Sequence, residues 1–250
     1  MSKTAVFEVT KGYNRVVTNY CPGCTHGISH RLIMEVLDEA DMLGKTIGCG
    51  PIGCSVMAHK FMNVDMCESA HGRAPSVASG IKRVHPDNFV FTYQGDGDLA
   101  SIGTAEIVHA AARGENITTF FINNAIYGMT GGQMAPTTLL GQKSTTSQAG
   151  RDSAQAGFPM RVSELLATLD GAVYVERVAL NTPGNVNKAK KAVKRAFDVQ
   201  NKKLGFSFVE FVSTCPTNWG VTPVQAMDFL KEQLIPFYPL GVFKKPEGVD

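Results

Sequence analysis

Gly95-Asp96-Gly97-Asp98 follows directly on the apolar run Phe89–Gln94 (FVFTYQ), and Asn123-Asn124-Ala125-Ile126-Tyr127-Gly128 begins at the last residue of a second run, Ile117–Asn123 (ITTFFIN). Both runs have the length and the β-branched and aromatic content of buried strands. Between them Ser101–Arg113 has helical spacing. Strand, helix and strand make a βαβ unit, which puts both loops at the carboxyl ends of neighbouring parallel strands, where ligands bind in such sheets. Asp96 and Asn124 are 124 − 96 = 28 residues apart, so both side chains are expected at one sheet edge. Glycines let backbone amides approach phosphate. An Asp oxygen, an Asn amide oxygen and a backbone carbonyl suit Mg²⁺, with diphosphate oxygens completing its octahedron. GDGD alone also fits a plain tight turn. An EF-hand is excluded, because Ala100 and Ser101 stand where it needs an oxygen ligand and a glycine.

Working outward, helices are expected over His26–Leu43, Ser76–Val84, Met160–Leu169, Val186–Gln200 and Val224–Leu234, and strands over Ala172–Val178 and Phe206–Val212. The alternation predicts an α/β fold with a mostly parallel sheet and helices on both faces. We read one domain over residues 1–250, with a cysteine loop near its start and a helical extension at its end. The chemistry is expected after Gln94, Asn123 and Val212. Tyr127–Phe158 reads as a long polar loop, a kind that is usually functional or disordered. Gly48-Cys49-Gly50-Pro51-Ile52-Gly53 matches GxGxxG formally. Its preceding strand is expected to span at most Lys45–Ile47, Pro51 sits inside, and no ribose-binding acid follows, so it is not read as a dinucleotide loop.

Composition narrows the classes. Lys plus Arg number 24 and Asp plus Glu 22, a net charge of +2 without the basic excess of nucleic-acid binding. The 44% hydrophobic content excludes disorder. The charged fraction of 18% is low against about 25% for soluble domains and points to surface hidden in an assembly. The longest uncharged stretch, Asn116–Gln142, is too polar for a membrane, and MSKTAVFEVTKGYNR lacks a signal-peptide core. The expectation is a cytoplasmic protein with reduced thiols.

Among six cysteines, Cys21-Pro22-Gly23-Cys24 forms C-x₂-C before a helix. His26 lies too near Cys24 for a zinc finger, whose Cys–His spacing is about 12. A thioredoxin-like dithiol wants its own preceding strand, and Arg15–Tyr20 is a weak one. Adding Cys54 and Cys215 gives four thiolates, which suits a [4Fe–4S] cluster. Spacing alone leaves structural zinc open.

The GDG…NN pair resembles the motif by which thiamine-diphosphate (ThDP) enzymes bind Mg²⁺ and diphosphate. CPGC at 21–24, Gly53-Cys54-Ser55, His71-Gly72-Arg73-Ala74-Pro75, GDGD, NNAIYGMTGGQ at 123–133 and STCPTNW at 213–219, in that order, resemble the β subunit of 2-oxoacid:ferredoxin oxidoreductases. The resemblance implies a ThDP-binding fold with Asp96, Asn124 and the Ile126 carbonyl on Mg²⁺, and with Gly95, Gly97, Asp98, Gly128, Met129 and Thr130 along the diphosphate. It implies Cys21, Cys24, Cys54 and Cys215 on a [4Fe–4S] cluster, with Ile52, Gly53 and Ser55 lining both cofactors. His71, near the diphosphate or reacting centre, and Arg73, as substrate-side support or packing, are the candidate catalytic residues. Thr130–Gln133 would open a lid or a subunit contact. The implied reaction is oxidative decarboxylation of a 2-oxoacid with coenzyme A to acyl-CoA and CO₂, with electrons leaving through the cluster to ferredoxin.

An α subunit is expected to supply the activating glutamate and the CoA site, with γ and ferredoxin-like subunits beside it. No nucleic-acid or membrane partner is expected. Ser55-Val56-Met57-Ala58 is apolar and favours a branched-chain substrate such as 2-oxoisovalerate; 2-oxoglutarate and pyruvate are the alternatives, with Arg73 a candidate for a second carboxylate. A non-redox ThDP decarboxylase or synthase predicts no iron. An iron–sulfur electron carrier without catalysis predicts no ThDP–Mg²⁺ affinity. Cys49 and Cys67 are read as buried thiols, and His26 as a helix start or a residue facing the cofactor. His30, His59, His85 and His109 are read as structural or surface residues, Lys188–Arg195 as a solvated basic face with a ferredoxin or subunit contact as the alternative, and Met57, Met62 and Met66 as core or interface.

Overall fold

The structure, a computed structural model, describes residues 7–249; Met1–Val6, where the stretch read for a leader begins, and Asp250 lie outside the described residues. Seven strands, β1 (Thr46–Gly50), β2 (Asp65–Glu68), β3 (Phe89–Gly95), β4 (Thr118–Asn123), β5 (Ala172–Ala179), β6 (Phe206–Val212) and β7 (Gly241–Lys244), form one sheet in the order β2-β1-β3-β4-β6-β5-β7. β1 to β6 run parallel and β7 pairs antiparallel with β5. The helices are α1 (His26–Glu39), α2 (Ala58–Phe61), α3 (Ala74–Val84), α4 (Thr104–Ala112), α5 (Ser153–Ala156), α6 (Val162–Ala167), α7 (Pro183–Asn201), α8 (Pro216–Trp219), α9 (Pro223–Phe229) and α10 (Ile235–Phe237).

Every residue of β4 and β6 is buried, which is why both read as continuous apolar runs rather than alternating ones. On one face Phe91, Tyr93, Phe120, Ile122, Val209 and Phe211 pack against α1 and α7. On the other, Val90, Phe121, Phe206 and Phe208 pack with buried residues of α3, α4 and α6. A third cluster joins Leu230, Leu234 and Tyr238 to Ala125 and Val212, so the carboxy-terminal helices brace the loop after β4. No helix among the described residues is long and apolar enough to cross a membrane.

β1, β2 and β7 are shorter or more exposed than the others, and two of them escape the sequence reading altogether. β1 runs to Gly50 rather than ending at Ile47, which makes Gly48 a strand residue. A Cβ there would lie 2.4 Å from Met66 Sδ and 2.6 Å from the Phe91 ring, so this glycine serves strand packing, not a phosphate turn. The helix expected from Ser101 begins instead with a wide π-turn over Asp98–Ile102 before α4.

His30 sits behind the site, ringed by Tyr20, Phe61, Tyr93 and His26, and both of its ring nitrogens are buried without a hydrogen bond. Burial holds its pKa well below the ordinary 6.5. The unfolded chain therefore binds a proton that the folded one refuses, and stability falls as pH drops below 6.5 toward the depressed folded value. His30→Phe, which suits the aromatic ring of neighbours, should flatten that acid limb. Urea midpoints at pH 7.5 and 5.0 check this; equal losses for wild type and variant would contradict it.

Candidate active site

The carboxyl ends of β1, β3 and β4 are neighbours in the sheet, and their loops meet at one cleft; the loop after β6 lies beside the β4 loop and outside the cleft lining. It is lined by residues from the Ile52–Ser55, Gly95–Asp98 and Asn124–Thr130 segments, with His26 and His71. Asp96 is buried; its Oδ1 accepts the Gly97 amide (2.9 Å), and its Oδ2 accepts the Ile126 amide (3.2 Å) and the Thr137 hydroxyl (2.8 Å). Burial pushes its pKa up to about 6 against these hydrogen bonds, and no cationic side chain among the described residues pairs with it. Asn124 Oδ1 is buried with no hydrogen bond at all. A desolvated carboxylate beside an orphaned amide oxygen fits a divalent cation. This set is a mixture of carboxylate, amide and backbone oxygens. Among the described residues no group of three or more His, Cys, Asp or Glu side chains, the cysteines included, is placed so that it could hold a metal ion as it stands.

The Asn124 loop is held in an uncommon conformation. Ala125 adopts φ +57°, unusual for a residue with a Cβ. Its amide donates to Asn123 Oδ1 (3.2 Å), and its carbonyl accepts from Thr138 Oγ1 (2.7 Å) and Gln142 Nε2 (3.1 Å). Thr137, Thr138 and Gln142 come from the long polar segment, which thus folds against Asp96 and the Asn124 loop. Arg151, itself buried, fixes that segment by donating to the carbonyls of Ala135, Pro136, Thr138, Ala156, Gly157 and Phe158.

His71 and Arg73 part company. His71 lines the cleft, with Nδ1 2.5 Å from Asp98 Oδ1. Asp98 also accepts the Gly72 amide (2.6 Å) and Gln94 Nε2 (2.7 Å), so its oxygens are spent on fixing His71. Arg73, at the start of α3, is not among the lining residues; it pairs with Glu106 and donates to the Ile102 carbonyl (3.1 Å). Gly72 has φ +77°, and a Cβ there would fall 2.7–2.9 Å from backbone atoms of Ile102 and Gly103. Gly72→Ala should therefore cost at least about 2 kcal/mol and displace His71, beyond the usual cost of about 1 kcal/mol for an ordinary strained Gly→Ala. A thermal midpoint equal to that of wild type would refute this.

Four of the six cysteines share the neighbouring space. Cys24 is pushed up to about 12 by burial, and among its neighbours Cys215, Cys54 and Cys21 raise it further while a backbone contact from His26 lowers it. Cys54 is pushed up to about 11 by burial, then by Cys215, Cys21 and Asp96. Burial also raises Cys215, which accepts a hydrogen bond from Asn218 Nδ2 (3.2 Å). Thiols that oppose one another's ionisation are what a cationic metal cluster would bind as thiolates. Cys49 and Cys67 instead pair in register across β1 and β2; Cys49 is buried as expected, whereas Cys67, on the edge strand, is only partly so.

Gly128 is where the two sets touch. A Cβ on it would stand 3.2 Å from Cys54 Sγ, 3.7 Å from Cys215 Sγ and 3.9 Å from Asn124 Nδ2. Asn218 donates to the Gly128 carbonyl (2.8 Å), and Trp219 Nε1 donates to the Asn124 carbonyl (3.1 Å), tying the Cys215 loop to the Asn124 loop.

Comparison with known proteins identifies the family. A family model described as "Thiamine pyrophosphate enzyme, C-terminal TPP binding domain" matches residues 51–211. The ketoisovalerate oxidoreductase subunit VorA of Methanothermobacter marburgensis is 46% identical over 239 residues, 96% of this chain and 50% of that one. The chain thus spans about half the length of this relative. The 2-oxoglutarate synthase subunit KorB of Archaeoglobus fulgidus is 34% identical over 238 residues, 91% of this chain and 85% of its own. Among solved structures, the 2-oxoglutarate:ferredoxin oxidoreductase from Magnetococcus marinus, with 2-oxoglutarate, coenzyme A and succinyl-CoA bound, superposes with a TM-score of 0.75 at 26% identity, covering 98% of this chain and 87% of that one. With its GDG and NN loops on adjacent strand ends, the chain belongs to the thiamine pyrophosphate enzymes and, within them, to the subunits of 2-oxoacid:ferredoxin oxidoreductases.

Proposed function

We propose that this chain is the catalytic β subunit of a 2-oxoacid:ferredoxin oxidoreductase that oxidatively decarboxylates a 2-oxoacid to acyl-CoA, with Mg²⁺–ThDP and a [4Fe–4S] cluster on the same polypeptide. The observation that carries this reading is the contact region at Gly128, where Cys54 and Cys215 approach the Asn124 loop. Asp96, Asn124 and the Ile126 carbonyl hold the cation, and Gly95, Gly97, Asp98, Met129 and Thr130 border the diphosphate. Cys21, Cys24, Cys54 and Cys215 hold the cluster. When bound, ThDP supplies carbanion chemistry at the 2-oxoacid carbonyl, and the cluster supplies a one-electron acceptor. The chain's own part is to bury the charged end of the cofactor, exclude water around Asp96, and keep the sulfurs beside the reacting centre. A partner α subunit supplies the activating glutamate and the CoA site, with γ and ferredoxin-like subunits completing the assembly and ferredoxin as acceptor.

A branched-chain substrate such as 2-oxoisovalerate is the substrate class we favour. Among the described residues no Lys or Arg lines the cleft, Arg73 is engaged with Glu106 outside it, and Asp96 and Asp98 are both inside. A second substrate carboxylate would meet like charge and no counter-ion, whereas the half-exposed Ile52 and Met129 offer an apolar rim. The test is anaerobic co-expression with the partner subunits, iron, sulfide and ThDP analysis, and a 2-oxoacid panel with CoA and viologen dye. We expect kcat/KM for 2-oxoisovalerate to exceed that for 2-oxoglutarate at least about 10-fold, equivalent to 1.4 kcal/mol. Preference for 2-oxoglutarate overturns the substrate class alone. A preparation free of iron, or of bound ThDP, overturns the cofactor assignment. Cys215→Ala should keep ThDP and lose dye reduction.

A further inference from the structure

The strongest unassigned feature is the side chain of His26, whose ring is clamped at the back of the cleft. Tyr20 stacks on one face, with ring centroids 4.8 Å apart and planes within 7°, while Tyr93 meets the ring edge-on. The Tyr20 hydroxyl in turn donates to the Cys54 carbonyl (3.1 Å). The hydrogen bonds behind the ring fix its tautomer. Ser29 Oγ donates its one hydrogen to the His26 carbonyl (2.8 Å). It must then accept from Tyr93, whose hydroxyl lies 2.7 Å away. The one Tyr93 hydrogen is thereby spent, so the 2.7 Å contact between Tyr93 Oη and His26 Nδ1 requires Nδ1–H to donate. Nε2 is left without a hydrogen. It bonds no group among the described residues, and His26 lines the cleft.

We propose that His26 is a binding residue of fixed tautomer, presenting bare Nε2 to the cleft as an acceptor for an O–H or N–H of the molecule bound there. This rests on the function proposed above only for the identity of the ligands. An acceptor that cannot donate grips a hydroxyl or an amine hydrogen and offers nothing to a carboxylate. The Ser29–Tyr93 pair is the device that forbids the opposite tautomer.

Two measurements test it. Ring ¹⁵N signals of the full chain, with His26 assigned by its loss in H26Q, should show a protonated Nδ1 and a bare Nε2; a protonated Nε2 overturns the proposal. In the assembled enzyme, H26Q keeps a hydrogen-bonding amide near the position of Nε2, whereas H26N keeps one only near Nδ1. H26N should raise the dissociation constant of Mg²⁺–thiamine diphosphate, or the KM for 2-oxoisovalerate, at least 10-fold, and H26Q should stay within 3-fold of wild type. Equal behaviour of the two variants in both quantities overturns the proposal, including the case in which both are merely destabilised. Wild-type enzyme that binds no Mg²⁺–thiamine diphosphate sinks the functional reading instead, and the ¹⁵N result then decides the tautomer on its own.

Discussion

Asp96→Asn should abolish retention of Mg²⁺–ThDP while leaving the ligand-free protein as stable as wild type. The two effects separate because the carboxylate is buried without a cationic partner, which pushes its pKa from 3.8 up to about 6. Asn removes the charge that burial disfavours and keeps one acceptor for the Gly97, Ile126 and Thr137 donors. One lost hydrogen bond, about 1 kcal/mol, is offset by relief from desolvation, so the apo midpoint should move by no more than about 1 kcal/mol. Removing an outer partner of a metal ligand typically costs 10–100-fold in affinity, and removing the ligand's own charge should cost at least about 100-fold. At a ligand concentration of 100 Kd the wild type gains about 2.7 kcal/mol from binding, and a 100-fold weaker variant about 0.4 kcal/mol. Thermal melts with and without Mg²⁺–ThDP read this difference directly. If the ligand stabilises D96N as much as wild type, Asp96 does not hold the cation.

The site was legible in the sequence to the extent that strand ends were. β3, β4 and β6 are buried on both faces, so their uninterrupted apolar runs bracket the loops where Asp96, Asn124 and Cys215 lie. The parts that escaped depend on tertiary contact. β1 carries glycines for close packing against Met66 and Phe91, a requirement that depresses its strand signal. β2 and β7 lie at the sheet edges and carry exposed positions, which leaves no apolar run to find. His71 and Arg73 share one motif, yet Arg73 caps the start of α3 and turns toward Glu106. Thr138 and Gln142 reach the Asn124 loop, Thr137 reaches Asp96, and Arg151 braces them, all from a segment whose composition says only that it is polar. A signal was available for one further residue: Glu210 is a carboxylate inside an apolar strand, and a charge so placed demands a partner.

That partner makes Glu210→Gln the second large effect. Glu210 is fully buried; its Oε1 accepts Asn123 Nδ2 (2.8 Å), and its Oε2 accepts the Ser163 hydroxyl and lies 2.9 Å from Nε of the equally buried Arg177. Arg177 keeps a second carboxylate, the two-pronged contact with Glu164 at 3.0 and 2.5 Å. Breaking a buried pair by neutralising one member costs about 3–5 kcal/mol, and the surviving Glu164 contact places this case near the lower end. At about 2–4 °C per kcal/mol for a chain of this size, the midpoint should fall by roughly 6–12 °C. The loss should also reach the metal. Asn123 bridges Glu210 to the amide of Ala125, whose left-handed backbone costs about 1–3 kcal/mol and persists only while its surroundings enforce it. E210Q should therefore weaken Mg²⁺–ThDP binding even at temperatures where it is fully folded. Ser163→Ala, which removes one hydrogen bond and leaves the Arg177 pair intact, should cost only about 1 kcal/mol and leave binding unchanged. Arg177→Met in the E210Q background should restore part of the lost stability, because the unpaired charge goes with it. With Arg177 gone, the one amide oxygen left at position 210 is free to accept from Asn123, so cofactor affinity ought to recover together with stability; stability that returns without affinity would argue against the Asn123 bridge.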